Sequence, residues 1–216
     1  MVREMKIELT LHRDMQLIIR DAQNSTIKQI RDIRELAKKQ IDLLIVSPNV
    51  SGTLTPVVEE VYNSGIPVII IDRQIDSEAY TAYIGADNYL IGREAAKYAG
   101  NKLHGSGKVL EITGLMASSP AKKRHRGFID GLKDFPGVEI TRQVSGKWNK
   151  YEGKSAMRSV LHDSKEFDLV FAHNDFMAIG AYEAAAAFNR QDDYFFLGTD
   201  GLPTEEGGIQ YIIDGK

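Results

Sequence analysis

The residues best suited to recognition chemistry in this sequence are a carboxylate and a guanidinium that stand side by side. Asp72 and Arg73 follow directly on the apolar segment 66–71. A carboxylate accepts hydrogen bonds from two neighbouring hydroxyl groups, and a guanidinium donates several in a fixed fork. The pair therefore suits the edge of a polyol, although a solvated strand end or a structural ion pair explains the dipeptide alone at least as well.

Two further candidates are a basic and an aromatic residue in polar surroundings. Arg124 lies in the basic run 122–126, where a solvated helix face explains most of the side chains. Trp148 is the only tryptophan and lies in the polar stretch 146–150. Its ring could stack on the apolar face of a sugar, or it could pack on the surface of its own lobe.

Polar residues also recur where predicted strands end. Asn174 and Asp200 each follow an apolar strand, and Ser47 ends another. Asn174 and Asp200 could hydrogen-bond a ligand, but either could instead cap the helix that comes next, which is a common role of both residue types.

The sequence offers little for other kinds of chemistry. It has no cysteine, and the spacing of its five histidines is not that of metal ligands. The glycine-rich stretch 105–108 precedes a predicted strand, whereas a phosphate-binding loop precedes a helix. No Gly-x-Ser-x-Gly elbow is present. We therefore predict no catalytic residue, no metal and no cofactor, which argues against an enzyme.

The elements that must position these residues alternate between strand and helix. Predicted strands and their following helices succeed one another along both halves of the chain, which indicates parallel sheets covered on both faces. The predicted strands are 15–20, 42–47, 66–71, 80–84, 109–113, 138–144, 169–172 and 195–198. In such sheets ligands bind beyond the carboxyl ends of the strands, where the candidate residues stand.

Composition restricts the classes of partner. The 216 residues carry a net charge of -3 with a pI near 6.0, so nucleic acid is not an expected partner. No apolar run reaches the roughly 20 residues that a membrane-spanning helix needs, and no signal peptide is visible. The absence of cysteine fits an oxidising compartment such as a periplasm.

Seven segments, in order, resemble the type I periplasmic binding proteins, the ribose-binding class shared with LacI-type repressor cores. They read MQLIIRDAQNS, DLLIVSP, GIPVIIIDRQI, YIGADNYLIGREAA, RHRGF, FAHNDFMAIGAYEA and GTDGLP. A closer similarity is to the periplasmic sugar-sensor domains of Bacteroidetes hybrid two-component systems. The resemblance implies that the residues at the family's ligand-binding positions bind ligand here too. These residues are Asp72, Arg73, Arg124, Trp148, Asn174, Asp200 and Ser47.

The resemblance implies a two-lobe α/β fold in which each lobe is a parallel sheet flanked by helices. Residues 1–86 would form the first lobe and 87–216 the second, with the first crossing near Ala86. The family's first strand would precede residue 1, and its last elements would follow Lys216. We therefore expect a fold truncated at both ends, which by itself binds sugar poorly or not at all.

The function that the resemblance implies is that of a periplasmic sugar-sensor domain. A monosaccharide such as fructose, or a short oligosaccharide, would bind between the lobes and signal to a histidine kinase in an inner-membrane parent protein, which could form a homodimer. A free sugar-binding protein of an ABC transporter and the effector-binding core of a LacI-type repressor are the alternatives.

Overall fold

The computed structural model describes residues 2–161 and 167–216, and within them seven strands form two parallel sheets. The first sheet has the strand order β1-β2-β3 and the second has the order β5-β4-β6-β7. The strands are β1 Leu44–Val46, β2 Val68–Ile71, β3 Ala82–Ile84, β4 Ser106–Thr113, β5 Gly137–Ser145, β6 Leu169–Ala172 and β7 Phe195–Leu197. No strand of one sheet pairs with a strand of the other across this part of the chain.

Helices separate most of the strands, which confirms the predicted α/β class. They are α1 Val2–Leu9, α2 Thr26–Ala37, α3 Ser51–Asn63, α4 Asn88–Lys102, α5 Ser119–Leu132, α6 Lys150–Leu161, α7 Asp175–Ala186 and α8 Gly208–Ile213. None of these helices combines the length and apolar character needed to cross a bilayer.

The second sheet is covered on both faces, as predicted. Alternate residues of β6 point to opposite faces, so Val170 packs into a core with α6 and α7, whereas Phe171 packs into a core with α4 and α5. Helices α4 and α5 approach closely because Gly92 and Gly127 lie between them. A Cβ atom on Gly127 would come within 2.0 Å of the Tyr89 carbonyl oxygen.

The first sheet has a core on one face, so the prediction of cover on both faces is wrong for its described strands. Leu44, Val68 and Ile70 pack with α2 and α3 into one apolar cluster. On the opposite face, Ile45 remains 39% exposed. The predicted strand 15–20 is also wrong, since its residues join neither sheet, and a strand exists only through hydrogen bonds to a neighbour.

Candidate functional site

Residues that follow strands of both sheets, together with two residues of α5, line one cavity of about 210 Å³. The lining residues are Asp72, Arg73, Pro120, Arg124, Trp148, Asn174 and Asp200. The structure thus brings together six of the seven residues predicted to bind ligand. Ser47 does not line the cavity, and its carbonyl oxygen accepts a hydrogen bond of 2.9 Å from Gln29 Nε2. That these side chains bind a ligand stays a prediction.

Arg124, on the second turn of α5, is held on several sides and is only 8% exposed. Its Nε donates to Asn88 Oδ1 at 2.9 Å. Its Nη1 donates to Thr199 Oγ1 at 2.9 Å and to the carbonyl oxygen of His173. Its Nη2 lies 3.6 Å from Asp200 Oδ1. These contacts fix the guanidinium before any ligand enters.

Asp200 follows β7 in a loop that a buried carboxylate holds in place. Asp175 Oδ2 accepts a hydrogen bond of 2.8 Å from the backbone N–H of Leu202. Burial raises the pKa of Asp200 to about 6, and the negative charges of Asp175 and Asp72 add to this rise, whereas Arg124 opposes it. The carboxyl group therefore changes charge in the weakly acidic range.

Trp148 lies against the backbone at the end of β4. Its ring would collide with a side chain at Gly114, since a Cβ atom there would come within 2.1 Å of the indole. Both Lys147 and Trp148 have positive φ angles, 46° and 67°, which are strained for residues other than glycine. The centre of the Trp148 ring lies 5.7 Å from the Arg124 guanidinium carbon. Backbone strain at adjacent residues is typical of positions selected for function.

Asn174 both lines the cavity and caps a helix. Its Oδ1 accepts a hydrogen bond of 2.9 Å from the backbone N–H of Met177, which is the capping role that the sequence left open. Its Nδ2 donates to the carbonyl oxygen of Trp148 at 3.3 Å. An amide has two N–H donors and two lone pairs, so half of its capacity remains for a ligand.

Asp72 and Arg73 form the part of the lining that comes from the first sheet. Asp72 has a φ of 63°, and the carbonyl oxygen of Asp72 accepts a hydrogen bond of 2.9 Å from the Tyr83 hydroxyl. Its side chain is 55% exposed. Arg73 Nη1 donates to the carbonyl oxygen and to Oδ1 of Asn49, both at 3.3 Å.

Sequence reasoning missed the residues that support the site. Asn88 and Thr199 anchor Arg124, and Pro120 lines the cavity, yet none was a candidate. Signals for two of them were present. Asn88 ends the YIGADN segment, and Thr199 directly precedes Asp200.

The lining can bind a neutral ligand with several hydroxyl groups. Two carboxylates and two guanidiniums balance in formal charge, and an amide and an aromatic face complete the set. The volume lies below the roughly 300–1,000 Å³ of pockets for drug-sized ligands. Among the described residues, no group of histidine and acidic side chains is arranged to hold a metal ion.

Comparison with known proteins gives a consistent result. The family described as periplasmic binding protein domain matches residues 5–216. A ribose import binding protein of Bacillus subtilis is 33% identical over 189 residues, which cover 88% of this chain and 61% of the relative. A galactofuranose-binding protein of Escherichia coli is 31% identical over 200 residues, which cover 88% of this chain and 63% of the relative. The chain thus spans about three fifths of these relatives.

Solved structures show the same similarity. The fructose-binding periplasmic domain of a hybrid two-component system is 39% identical with a TM-score of 0.95, and the match covers 99% of this chain and 71% of that one. A solute-binding protein of a Bacillus halodurans ABC transporter, solved with myo-inositol, is 27% identical with a TM-score of 0.94. That match covers 99% of this chain and 74% of the other.

Proposed function

The chain belongs to the periplasmic binding protein domain family, and from that premise we propose that it binds a neutral monosaccharide in the cavity between its two sheets. The family is one of binding proteins and not of enzymes. The observation that carries the proposal is the convergence of charged, amide and aromatic side chains on one small cavity. A volume of about 210 Å³ favours a monosaccharide over an oligosaccharide.

The polar groups of the lining complement the hydroxyl groups of such a ligand. Asp72 and Asp200 accept hydrogen bonds, and Arg73 and Arg124 donate them. The face of Trp148 suits the apolar C–H groups of a sugar ring. An acidic sugar would add an uncompensated charge to a lining whose own charges balance, so binding should favour neutral sugars.

Isothermal titration calorimetry with a sugar panel tests the proposal. The panel contains fructose, ribose, allose, myo-inositol and, as a charged comparison, glucuronate. Because Trp148 is the only tryptophan and lines the cavity, its fluorescence gives a second, local readout of binding. We expect saturable one-to-one binding of at least one neutral sugar in the panel, with a change in Trp148 fluorescence emission. Binding that leaves the emission unchanged would place the ligand elsewhere.

The proposed division into lobes 1–86 and 87–216 has support from the sheet topology. The strands of the first sheet end at Ile84, and those of the second begin at Ser106. Closure of the two lobes around a ligand would shift an equilibrium between two orientations. A periplasmic location is part of the same proposal and has support from the family.

We further propose that the chain acts as a sensor domain of a two-component system located in the inner membrane. Support comes from the 39% identity and TM-score of 0.95 to a sensor domain that binds fructose. The competing role is delivery of sugar to an ABC transporter, which the similarity to several transport-associated binding proteins favours. The reading frame after the codon for Lys216 separates the two. A membrane span and a kinase in the same frame support the sensor role, and a stop codon beside a permease gene contradicts it.

A further inference from the structure

A buried carboxylate lies behind the cavity, outside the lining. Glu111 on β4 is fully buried and accepts hydrogen bonds from three side chains. His125 Nδ1 lies 2.8 Å from Glu111 Oε2, Gln143 Nε2 lies 2.8 Å from the same oxygen, and His173 Nε2 lies 2.9 Å from Oε1. We call Glu111, His125, Gln143 and His173 the rear network.

The protonation of the rear network follows from its geometry. The backbone N–H of Gly114 points at His173 Nδ1 over 3.4 Å, so Nδ1 accepts and Nε2 carries the proton that His173 donates to Glu111. Burial lowers the pKa of His173 against the influence of Glu111. Burial opposes ionisation of Glu111, but its interaction with His173, first through the hydrogen bond, and the hydrogen bond from Gln143 outweigh burial and lower the pKa of Glu111. The network therefore pairs a carboxylate with a neutral His173.

The backbone of His173 connects the rear network to the cavity. Its carbonyl oxygen accepts hydrogen bonds from Arg124 Nη1 and, at 2.6 Å, from the Thr199 hydroxyl. The next residue, Asn174, lines the cavity. The His173 ring lies 6.2 Å, between ring centres, from Trp148. A single residue thus contacts the rear carboxylate with its ring and the cavity arginine with its backbone.

Stability alone does not account for such a network. Removing a carboxylate from water costs several kcal/mol, and apolar residues of similar volume are often as stabilising as a buried ionic group. The nitrogen and oxygen atoms of the network also hydrogen-bond to one another, and they are not arranged around a metal site. Its remaining distinctive property is that it fixes the ring, and with it the backbone, of His173.

We propose that Glu111 and His173 are positioning residues of the cavity: Glu111 orients the His173 ring, and the carbonyl oxygen of His173 then holds Arg124 toward the ligand. This inference rests on the proposed sugar binding and adds to it two residues that do not touch the ligand. Arg124 would keep its hydrogen bonds to Asn88 and Thr199 without the rear network, but it would lose a fixed acceptor.

Substitutions of His173 test the proposal by affinity. His173→Leu removes the donor to Glu111, and we expect it to weaken sugar binding roughly 10- to 100-fold, the effect of losing a hydrogen bond to a charged group. His173→Gln places an amide N–H near the position of Nε2 and should stay within about threefold of the wild type. Gln143→Ala is the matched control, since it removes another donor to Glu111 without touching Arg124 or its partners. Calorimetry on folded variants measures the affinities.

A second measurement needs no ligand and so separates this proposal from that of sugar binding. Hydrogen exchange at Arg124 Nη1–H, which donates to the carbonyl oxygen of His173, is followed by NMR. It should be slow in the wild type and in His173→Gln, and at least tenfold faster in His173→Leu. If His173→Leu does not fold, Glu111→Gln replaces it, since the amide keeps the shape but not the charge. Equal exchange rates in all folded variants would overturn the positioning role. Failure of the wild type to bind any sugar would refute the proposed function, and the exchange rates would still decide this inference.

Discussion

The two walls of the cavity differ in how firmly they are held. The wall from the second sheet centres on Arg124, whose side chain is 10% exposed and hydrogen-bonded to Asn88 and Thr199. The wall from the first sheet centres on Asp72, whose side chain is 55% exposed and lies 3.8 Å from the Arg73 guanidinium. The Arg124 side chain is therefore preorganised, whereas more than half of the Asp72 side chain faces solvent.

The packing beneath each wall explains the difference. Apolar cores lie on both faces of the second sheet, but the described strands of the first sheet share one core on one face. Side chains at the end of a doubly covered sheet have rigid neighbours and little access to water. A rigid wall reduces the entropic cost of binding, and a mobile wall permits closure over the ligand. The following predictions test this division, from the largest expected effect to the smallest.

Arg124→Ala should weaken sugar binding roughly 100- to 1,000-fold, because it removes a buried charged donor and leaves its polar partners unpaired. Arg126→Ala is the control on the same helix, since the Arg126 side chain is 80% exposed. Titration calorimetry measures both. A loss below tenfold in Arg124→Ala would show that the second wall does not dominate binding.

Gly114→Ala should weaken binding by about one to two orders of magnitude, because the added methyl group displaces Trp148, and a displacement of about 1 Å in a binding site costs roughly 100-fold. The fluorescence emission maximum of Trp148 should move toward that of a solvated indole. Ser145→Ala, at the exposed end of β5, is the control for a small change nearby. Unchanged emission would show that the ring tolerates the methyl group where it lies.

Asp72→Ala should weaken binding only about 10- to 30-fold, less than Arg124→Ala, because a solvated carboxylate contributes less than a buried charge. Both variants should be compared in the same calorimetric series with one sugar. Equal losses would contradict the division into a rigid and an adjustable wall.

Binding should weaken up to about tenfold between pH 7.5 and pH 5, since the pKa of Asp200 is about 6 and its ionised form accepts hydrogen bonds from sugar hydroxyls. The effect of pH on folding stability has the opposite sign. A carboxyl whose pKa is raised from 3.8 to about 6 binds more protons in the folded state, so its contribution to stability is lost as pH rises through 6. Asp200→Asn should remove this pH dependence of affinity, and a persistent slope would assign it to another group.

Gln74→Ala should weaken binding of every sugar by the same small factor, about two- to threefold. The backbone N–H of Gln74, in the loop after β2, donates to Ser119 Oγ at 2.7 Å, and Lys123 Nζ donates to Gln74 Oε1. The side-chain contact joins the two walls without lining the cavity, so its loss should change closure and not selectivity. Factors that differ between sugars would indicate direct contact with the ligand.

The sequence by itself determined the order of elements and most of the cavity lining. Alternation of strand and helix predicts parallel sheets, and polar residues after buried strands predict a site at the carboxyl ends of those strands. That logic, with the family resemblance, selected Asp72, Arg73, Arg124, Trp148, Asn174 and Asp200, which the structure places around one cavity. Local pattern indicates the placement of Asp72, Asn174 and Asp200, because each follows a predicted strand, whereas the ligand-binding role of Arg124 and Trp148 depended on the resemblance.

Tertiary structure alone decided what holds those residues. Segment 15–20 has the composition of a strand, yet it joins no sheet in the described structure, because pairing depends on a neighbour and not on local pattern. Glu111 and His173 are 62 residues apart, and Arg124 and Thr199 are 75 apart. Spacing along the chain carries no signal for such pairs, since their contact arises only when strands and helices pack and exclude water from the polar groups between them.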